Sequence, residues 1–206
     1  MPNSIPIAPQ CRPRRSDSCA RGVAARVLIT LGFGLGLVLG GCDALEAPIL
    51  KQAGVEPGSD FGATVPNVAA GESMTFGFIA LCVYSNTGVT LTAASFEEST
   101  NLEVVDFAVD KAPHANDAFG AEKVSLGQAG FDVTQREVSA SYPNDGDFLG
   151  LELRRGAEPV TGRGDRLVLT YTEQKRQRQT TIPFYVVLCA PTDVFDMCGG
   201  DVVVSQ

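Results

Sequence analysis

An all-β fold is predicted for this chain from the composition of its apolar segments, from its turn signals and from the lack of a helical pattern. From residue 73 onward, short segments rich in β-branched and aromatic residues recur between turn signals. No convincing amphipathic helix pattern follows residue 42. Regularly spaced short strands are typical of a β-sandwich. The predicted strands, about seven to nine, are Ser73–Tyr84, Val89–Phe96, Leu102–Val109, a short one near Val124, Phe131–Ser139, Phe148–Arg154, Arg166–Thr172, Thr180–Cys189 and Asp201–Ser205.

Two of these strands are matched in apolar character, and each ends in a cysteine. They are the segments Phe76–Cys82 and Pro183–Cys189. In immunoglobulin-like sandwiches the first and last strands often run side by side and parallel, which would bring Cys82 and Cys189 to one end of a sheet. A Cys82–Cys189 disulfide is expected on this basis, and it would contribute about 3–5 kcal/mol in the chain-entropy model. Cys189–Cys198 is the rival pairing.

The first 41 residues are predicted to be an export signal. Arg12, Arg14, Arg15, Arg21 and Arg26 precede an apolar, glycine-rich run without charge that extends to Cys42. A basic region followed by an apolar one and by small residues is typical of a secretory signal. The 15 residues of Val27–Gly41 fall short of the ~20 that a spanning helix needs. An uncleaved signal anchor and ordinary secretion are the alternatives, and Arg14-Arg15 leaves twin-arginine export open.

The end of this run, Leu39-Gly40-Gly41-Cys42, resembles the lipobox of bacterial lipoproteins. The resemblance implies cleavage between Gly41 and Cys42 and a diacylglyceryl group on the Cys42 sulfur. It also implies a lipid-anchored protein on the extracytoplasmic face of the cell membrane. In strand pattern, the remainder resembles the immunoglobulin-like ectodomains of small bacterial lipoproteins.

Three segments are predicted: a lipoprotein signal peptide of residues 1–41, a flexible tether of residues 42–71, and an immunoglobulin-like β-sandwich of residues 72–206. Pro48, Pro57 and Pro66, with several glycines and no steady apolar period, favour the tether. Without residues 1–41 the chain keeps 11 of its 16 lysines and arginines and 23 of its 24 aspartates and glutamates, a net charge of −12. Such a surface repels nucleic acids and anionic lipids, so no nucleic-acid partner is expected.

The cysteines and the single histidine limit the chemistry available. If Cys42 carries lipid, Cys82, Cys189 and Cys198 make one disulfide and one odd thiol. His114 is the only histidine, which opposes a blue-copper or catalytic zinc site, so no cofactor is expected. A sortase-like thiol enzyme would use Cys189 and His114, but no arginine or lysine follows Arg178 to stabilise an oxyanion.

Three further motifs each have a structural and a functional interpretation. Arg163-Gly164-Asp165 matches an adhesive tripeptide but is favoured as a turn before a strand. Asp193, Asp196 and Asp201 are favoured as solvated loop acids over a calcium site. The run Lys175–Arg178 is favoured as a hairpin tip, with an anionic envelope polymer as a conceivable contact.

The predicted function is a non-catalytic binding or structural module whose loops contact an unidentified envelope protein or polymer. A small-ligand carrier, with an apolar pocket between the sheets, is a further alternative.

Overall fold

Two β-sheets enclose one hydrophobic core in the computed structural model of this chain. The structure describes residues 50–52, 60–84, 87–111, 121–139 and 146–193, together with Cys198. These residues belong to one compact unit. Within them lie the strands β1 (Leu50–Gln52), β2 (Phe61–Val65), β3 (Ser73–Val83), β4 (Val89–Thr100), β5 (Leu102–Asp110), β6 (Ala121–Glu122), β7 (Glu137–Val138), β8 (Asp147–Arg155), β9 (Gly162–Glu173), β10 (Arg176–Ile182) and β11 (Phe184–Leu188).

The first sheet has the order β1-β3-β8-β5, with β6 also beside β3, and all its pairs are antiparallel. The second sheet has the order β2-β11-β9-β4-β7, with β10 also beside β9. Its only parallel pair among the described strands is β2–β11. The chain crosses between the sheets at Asn101, whose φ of 49° lets β4 turn into β5.

Side chains from both sheets fill the space between them. Phe184 of β11 is at the centre of an aromatic cluster, with ring centroids 5.2 Å from Phe61, 5.7 Å from Phe78 and 6.2 Å from Phe96. Full burial of one such side chain contributes about 1.5–3 kcal/mol. Among the large, fully buried side chains of the core are Leu50, Met74, Phe76, Ile79, Leu81, Leu91, Leu149, Leu151, Leu153, Tyr171 and Phe184.

The structure confirms the prediction of an immunoglobulin-like β-sandwich, with several changes in strand length. β3, β5 and β8 begin and end within one residue of the predicted bounds. The predicted strand Phe131–Ser139 contains only Glu137–Val138, because its preceding residues cross from one sheet to the other. There the Gln135 carbonyl accepts from Val109 N (2.9 Å) and the Arg136 carbonyl from Leu91 N (2.9 Å). The predicted strand at residues 201–205 lies outside the described residues.

The tether and the parallel strand pair differ from their predictions. β1 and β2 lie inside the segment 42–71, so the sandwich already includes Leu50 and does not begin at residue 72. The strand parallel to β11 is β2, whereas β3 belongs to the other sheet. Gly62 is needed in β2 because a Cβ there would lie 2.5 Å from the Tyr185 ring. The glycine that made this segment resemble a linker therefore permits close strand packing.

The sandwich has two distinct ends, and strand β1 begins at one of them. Leu50 pairs with Val83, the last residue of β3, at the end that also holds the β9–β10 turn. We call this the proximal end. The opposite end, the distal end, holds Asn101 and the segments 66–72, 156–161 and 189–193.

Candidate functional site

A buried arginine organises the loops of the distal end. Arg155 is 3% exposed, and its Nε donates to the Val68 carbonyl at 2.8 Å. Its Nη1 donates to the carbonyls of Glu158 (2.9 Å) and Val160 (2.7 Å). Asn101 Nδ2 donates to these same two carbonyls, at 3.2 and 2.7 Å. Since a buried charge is costly unless it is hydrogen-bonded, these bonds fix segments 66–72 and 156–161 relative to the sheets.

A disulfide fixes the third segment of the distal end. Cys189 and Cys198 are bonded, with their Cα atoms 5.7 Å apart. Asp193 Oδ2 accepts hydrogen bonds from the Thr161 hydroxyl and from Ala190 N, the latter at 3.0 Å. Arg163 Nη2 donates to the Cys198 carbonyl at 3.1 Å. The segment after β11 is therefore tied to the start of β9.

The predicted Cys82–Cys189 disulfide is wrong, because Cys189 bonds to Cys198, the rival partner. Cys82 lies on β3 opposite Lys51 at the proximal end, whereas Cys189 follows β11 at the distal end. The two cysteines are in different sheets and at opposite ends. Cys82 is 1% exposed and lies buried in its own sheet.

Cys189, which a thiol enzyme would use as its nucleophile, forms a disulfide in this structure. Cys189 is 1% exposed and its sulfur is held in the disulfide, so it carries no thiolate in this state. His114 lies outside the described residues, as do Gly41 and Cys42 of the predicted lipidation site. The bond between Cys189 and Cys198 therefore leaves the sortase-like alternative without support.

The Arg163-Gly164-Asp165 tripeptide lies within β9 and does not form the predicted turn. Gly164 is buried, and a Cβ there would lie 2.8 Å from both Leu102 and Phe96. The glycine is thus required by packing between the sheets. Since the Arg163 guanidinium binds the Cys198 carbonyl, the tripeptide is part of the distal scaffold.

The acidic side chains of the distal end are held by hydrogen bonds. Asp193, part of the predicted acidic loop, binds Thr161 and Ala190, while Asp196 and Asp201 lie outside the described residues. Among the described residues there is no group of three or more metal-ligating side chains.

Glu72 is a charged contact of the same end. Its Oε2 accepts from Ala69 N at 2.7 Å and from Lys123 Nζ at 3.2 Å. The backbone N–H of Ala69 is the main cause that lowers the pKa of Glu72, and Lys123 lowers it further. The carboxylate is therefore ionised at neutral pH and holds the turn before β3 closed.

One exposed apolar side chain stands on this fixed loop surface. Val160 is 44% exposed, and Val133, away from the distal end, is 42% exposed. They are the exposed large hydrophobic residues of the described part of the chain. Binding residues lie disproportionately on loops that a rigid scaffold holds in place. We therefore take the distal loops around Val160 as the candidate binding surface.

Sequence reasoning missed Arg155 and Asn101, although one signal was available. Leu149, Leu151 and Leu153 alternate along β8 toward the core, and Arg155 continues the same alternation. An arginine at an inward position of a strand must find hydrogen-bond acceptors inside the fold. Its partners are backbone carbonyls of distant segments, which no sequence motif marks.

Comparison with known proteins leaves the family open. No family model and no curated protein matches the chain. Among solved structures, a chain described as the ASH / PapD-like domain of human CEP192 (PapD-like domain 7) is 9% identical, with a TM-score of 0.33. The match covers 82% of this chain and 96% of the human one. At this similarity it carries no argument about function. None of the described residues forms a helix that is long and apolar enough to cross a membrane.

Proposed function

We propose that this protein is a lipid-anchored, non-catalytic binding module on the extracytoplasmic face of a bacterial cell membrane. The observation that carries the binding role is the distal loop surface, which Arg155, Asn101 and the Cys189–Cys198 disulfide hold in one conformation. Loops that are ordered before binding lose less conformational entropy when a partner docks. The partner is an envelope protein or polymer that contacts these loops.

The anchoring part of the proposal is supported by the lipobox-like residues before Cys42. Two acyl chains hold a protein firmly, since each buried methylene contributes about 0.8 kcal/mol. We expect the protein extracted from membranes to begin at Cys42 and to carry a diacylglyceryl group, as measured by mass spectrometry of the N-terminal peptide. The Cys42→Ala variant should lack this mass. An unmodified Cys42, or an N-terminus elsewhere, would contradict the proposal.

The binding part can be tested in intact cells with a photo-cross-linking amino acid at position 160. We expect one reproducible adduct from Val160, because this side chain is exposed on the ordered distal loops. The same amino acid at Val133 is the matched control, since the two valines are nearly equally exposed. An adduct of equal yield from both positions, or from Val133 alone, would move the binding surface elsewhere. The Val160→Asp variant should lose the captured component while Val133→Asp retains it.

A further inference from the structure

Three basic residues belong to elements of the proximal end. Lys51 is in β1, which contacts β10, and Lys175 and Arg176 stand at the turn where β10 begins. The Lys51 ammonium is 5.0 Å from the centroid of the Tyr84 ring, which keeps it at this end of the sandwich. Lys175 and Arg176 are exposed.

None of these three cations forms an ion pair with a carboxylate within the described part of the chain, and two acids on neighbouring elements pair with other cations. Glu173 pairs with Arg178 at 3.2 Å. Glu137 pairs with Lys111 at 3.3 Å. These three residues thus present positive charge on a domain whose predicted mature form carries a net charge of −12.

The same end faces the anchor if Cys42 is lipidated. Only seven residues separate Cys42 from Leu50, the first residue of β1. A fully extended chain spans 3.3–3.6 Å per residue, so Leu50 lies no more than about 28 Å from the lipidated sulfur. The 30-residue tether predicted for residues 42–71 would have allowed a much greater separation, but β1 and β2 occupy part of it.

We propose that the proximal end docks onto anionic lipid headgroups of the membrane that holds the anchor, through Lys51, Lys175 and Arg176. This inference rests on the proposed lipidation of Cys42. Each lysine or arginine near an anionic surface raises the binding constant about fivefold. The acidic remainder of the domain is repelled by the same headgroups, so the contact is directional. Tyr84 suits the site because tyrosine is enriched at membrane–water interfaces.

Because the chain contains no tryptophan, a single introduced tryptophan reports this orientation without signal from any other. A single tryptophan replaces either Gln177, exposed near the proximal turn, or Ala157, exposed at the distal end. The lipidated protein is incorporated into vesicles that contain a dansyl-labelled headgroup, with either zwitterionic or partly anionic lipid. We expect energy transfer from the Gln177→Trp protein to rise in anionic vesicles and to fall again with added salt. Transfer from the Ala157→Trp protein should stay low in both.

Charge reversal identifies the groups responsible. Lys175→Glu with Arg176→Glu should abolish the difference between anionic and zwitterionic vesicles at Gln177→Trp. The matched control, Arg154→Glu with Arg166→Glu, changes the net charge equally but away from the proximal end and should leave the difference unchanged. Equal transfer from both tryptophan positions, or no response to headgroup charge, would overturn the proposal. Binding of the basic residues to an anionic polymer, with no effect of the vesicles, would also overturn it.

Failure of the anchor itself would look different. A protein without diacylglycerol on Cys42 would not enter the vesicles at all, so energy transfer would be absent for every variant. Circular dichroism and thermal unfolding of each variant verify that the sandwich is intact.

Discussion

At the scale of single residues, Arg155 is a buried charged side chain in a strand whose other inward-facing residues are leucines. Its position continues the inward alternation of Leu149, Leu151 and Leu153, but it lies where the core ends and loop carbonyls converge. The guanidinium donates to three loop carbonyls, two of which also accept from Asn101 Nδ2. The sequence places an arginine at the end of β8, whereas only the fold supplies its acceptors.

Glu72 gives a prediction on pH at the same scale. Because its pKa is lowered in the folded state, its carboxylate stabilises the fold above the ordinary value of 4.5. This contribution is lost as the pH falls through the lowered folded-state pKa. We expect Glu72→Gln to reduce the free energy of unfolding by about 1 kcal/mol at neutral pH and by less at about pH 3.

Urea unfolding at the two pH values measures this difference. Glu122→Gln is the control, since the Glu122 side chain is exposed and has no ion pair among the described residues. A Glu72→Gln deficit that is the same at both pH values would show that the side chain acts by shape and not by charge.

At the scale of elements, the β9–β10 hairpin shows that amino-acid composition alone does not locate the ends of strands. The run Lys175–Arg178 is predicted to be a hairpin tip, but only Gln174 and Lys175 form the turn, with φ of 45° and 71°. Both values lie in the left-handed region, as a two-residue type I′ turn requires. Arg176 and Gln177 already pair with β9, since polar residues are well suited to an exposed strand.

The hairpin turn can be improved by residues that accept positive φ. Gln174→Asn with Lys175→Gly should raise the free energy of unfolding by about 1–2 kcal/mol, because asparagine and glycine adopt this geometry without the cost that other residues incur. Chemical denaturation measures the change. Lys175→Ala is the control, because it removes the charge but keeps a Cβ at a positive φ. A gain from alanine equal to that from glycine would assign the effect to charge.

β2 is the second element that local composition did not predict. Its glycine and the surrounding prolines resemble a linker, but Phe61 packs on Phe184 and the strand pairs with β11 in parallel. Parallel pairing joins segments more than 120 residues apart, Phe61 and Phe184 for example. No short window of sequence contains that information.

At the scale of the whole molecule, the position of the domain start has a direct consequence. A chain that begins at residue 72 lacks β1 and β2, and it leaves Phe184 and the edge of β11 uncovered. We expect a protein of residues 72–206 to be insoluble or unfolded, while residues 43–206 fold. Circular dichroism and thermal unfolding distinguish the two.

The Phe61→Ala variant in the longer protein tests the reason for this difference. Loss of a large core side chain costs about 3–5 kcal/mol, so the Phe61→Ala protein should be strongly destabilised. A stable fold from residues 72–206 would show that β1 and β2 are peripheral.

The sequence by itself determined the all-β class and most strand positions, because these depend on local composition and short patterns. Export and lipidation stay predictions from the residues before Cys42. Only the tertiary structure decided which strands are neighbours, which cysteine bonds to Cys189 and where the chain enters the sandwich. Those features depend on contacts between distant segments, and the free energy of such contacts comes from burial and hydrogen bonding in three dimensions. The distal loops around Arg155 and the basic proximal end are both products of that arrangement.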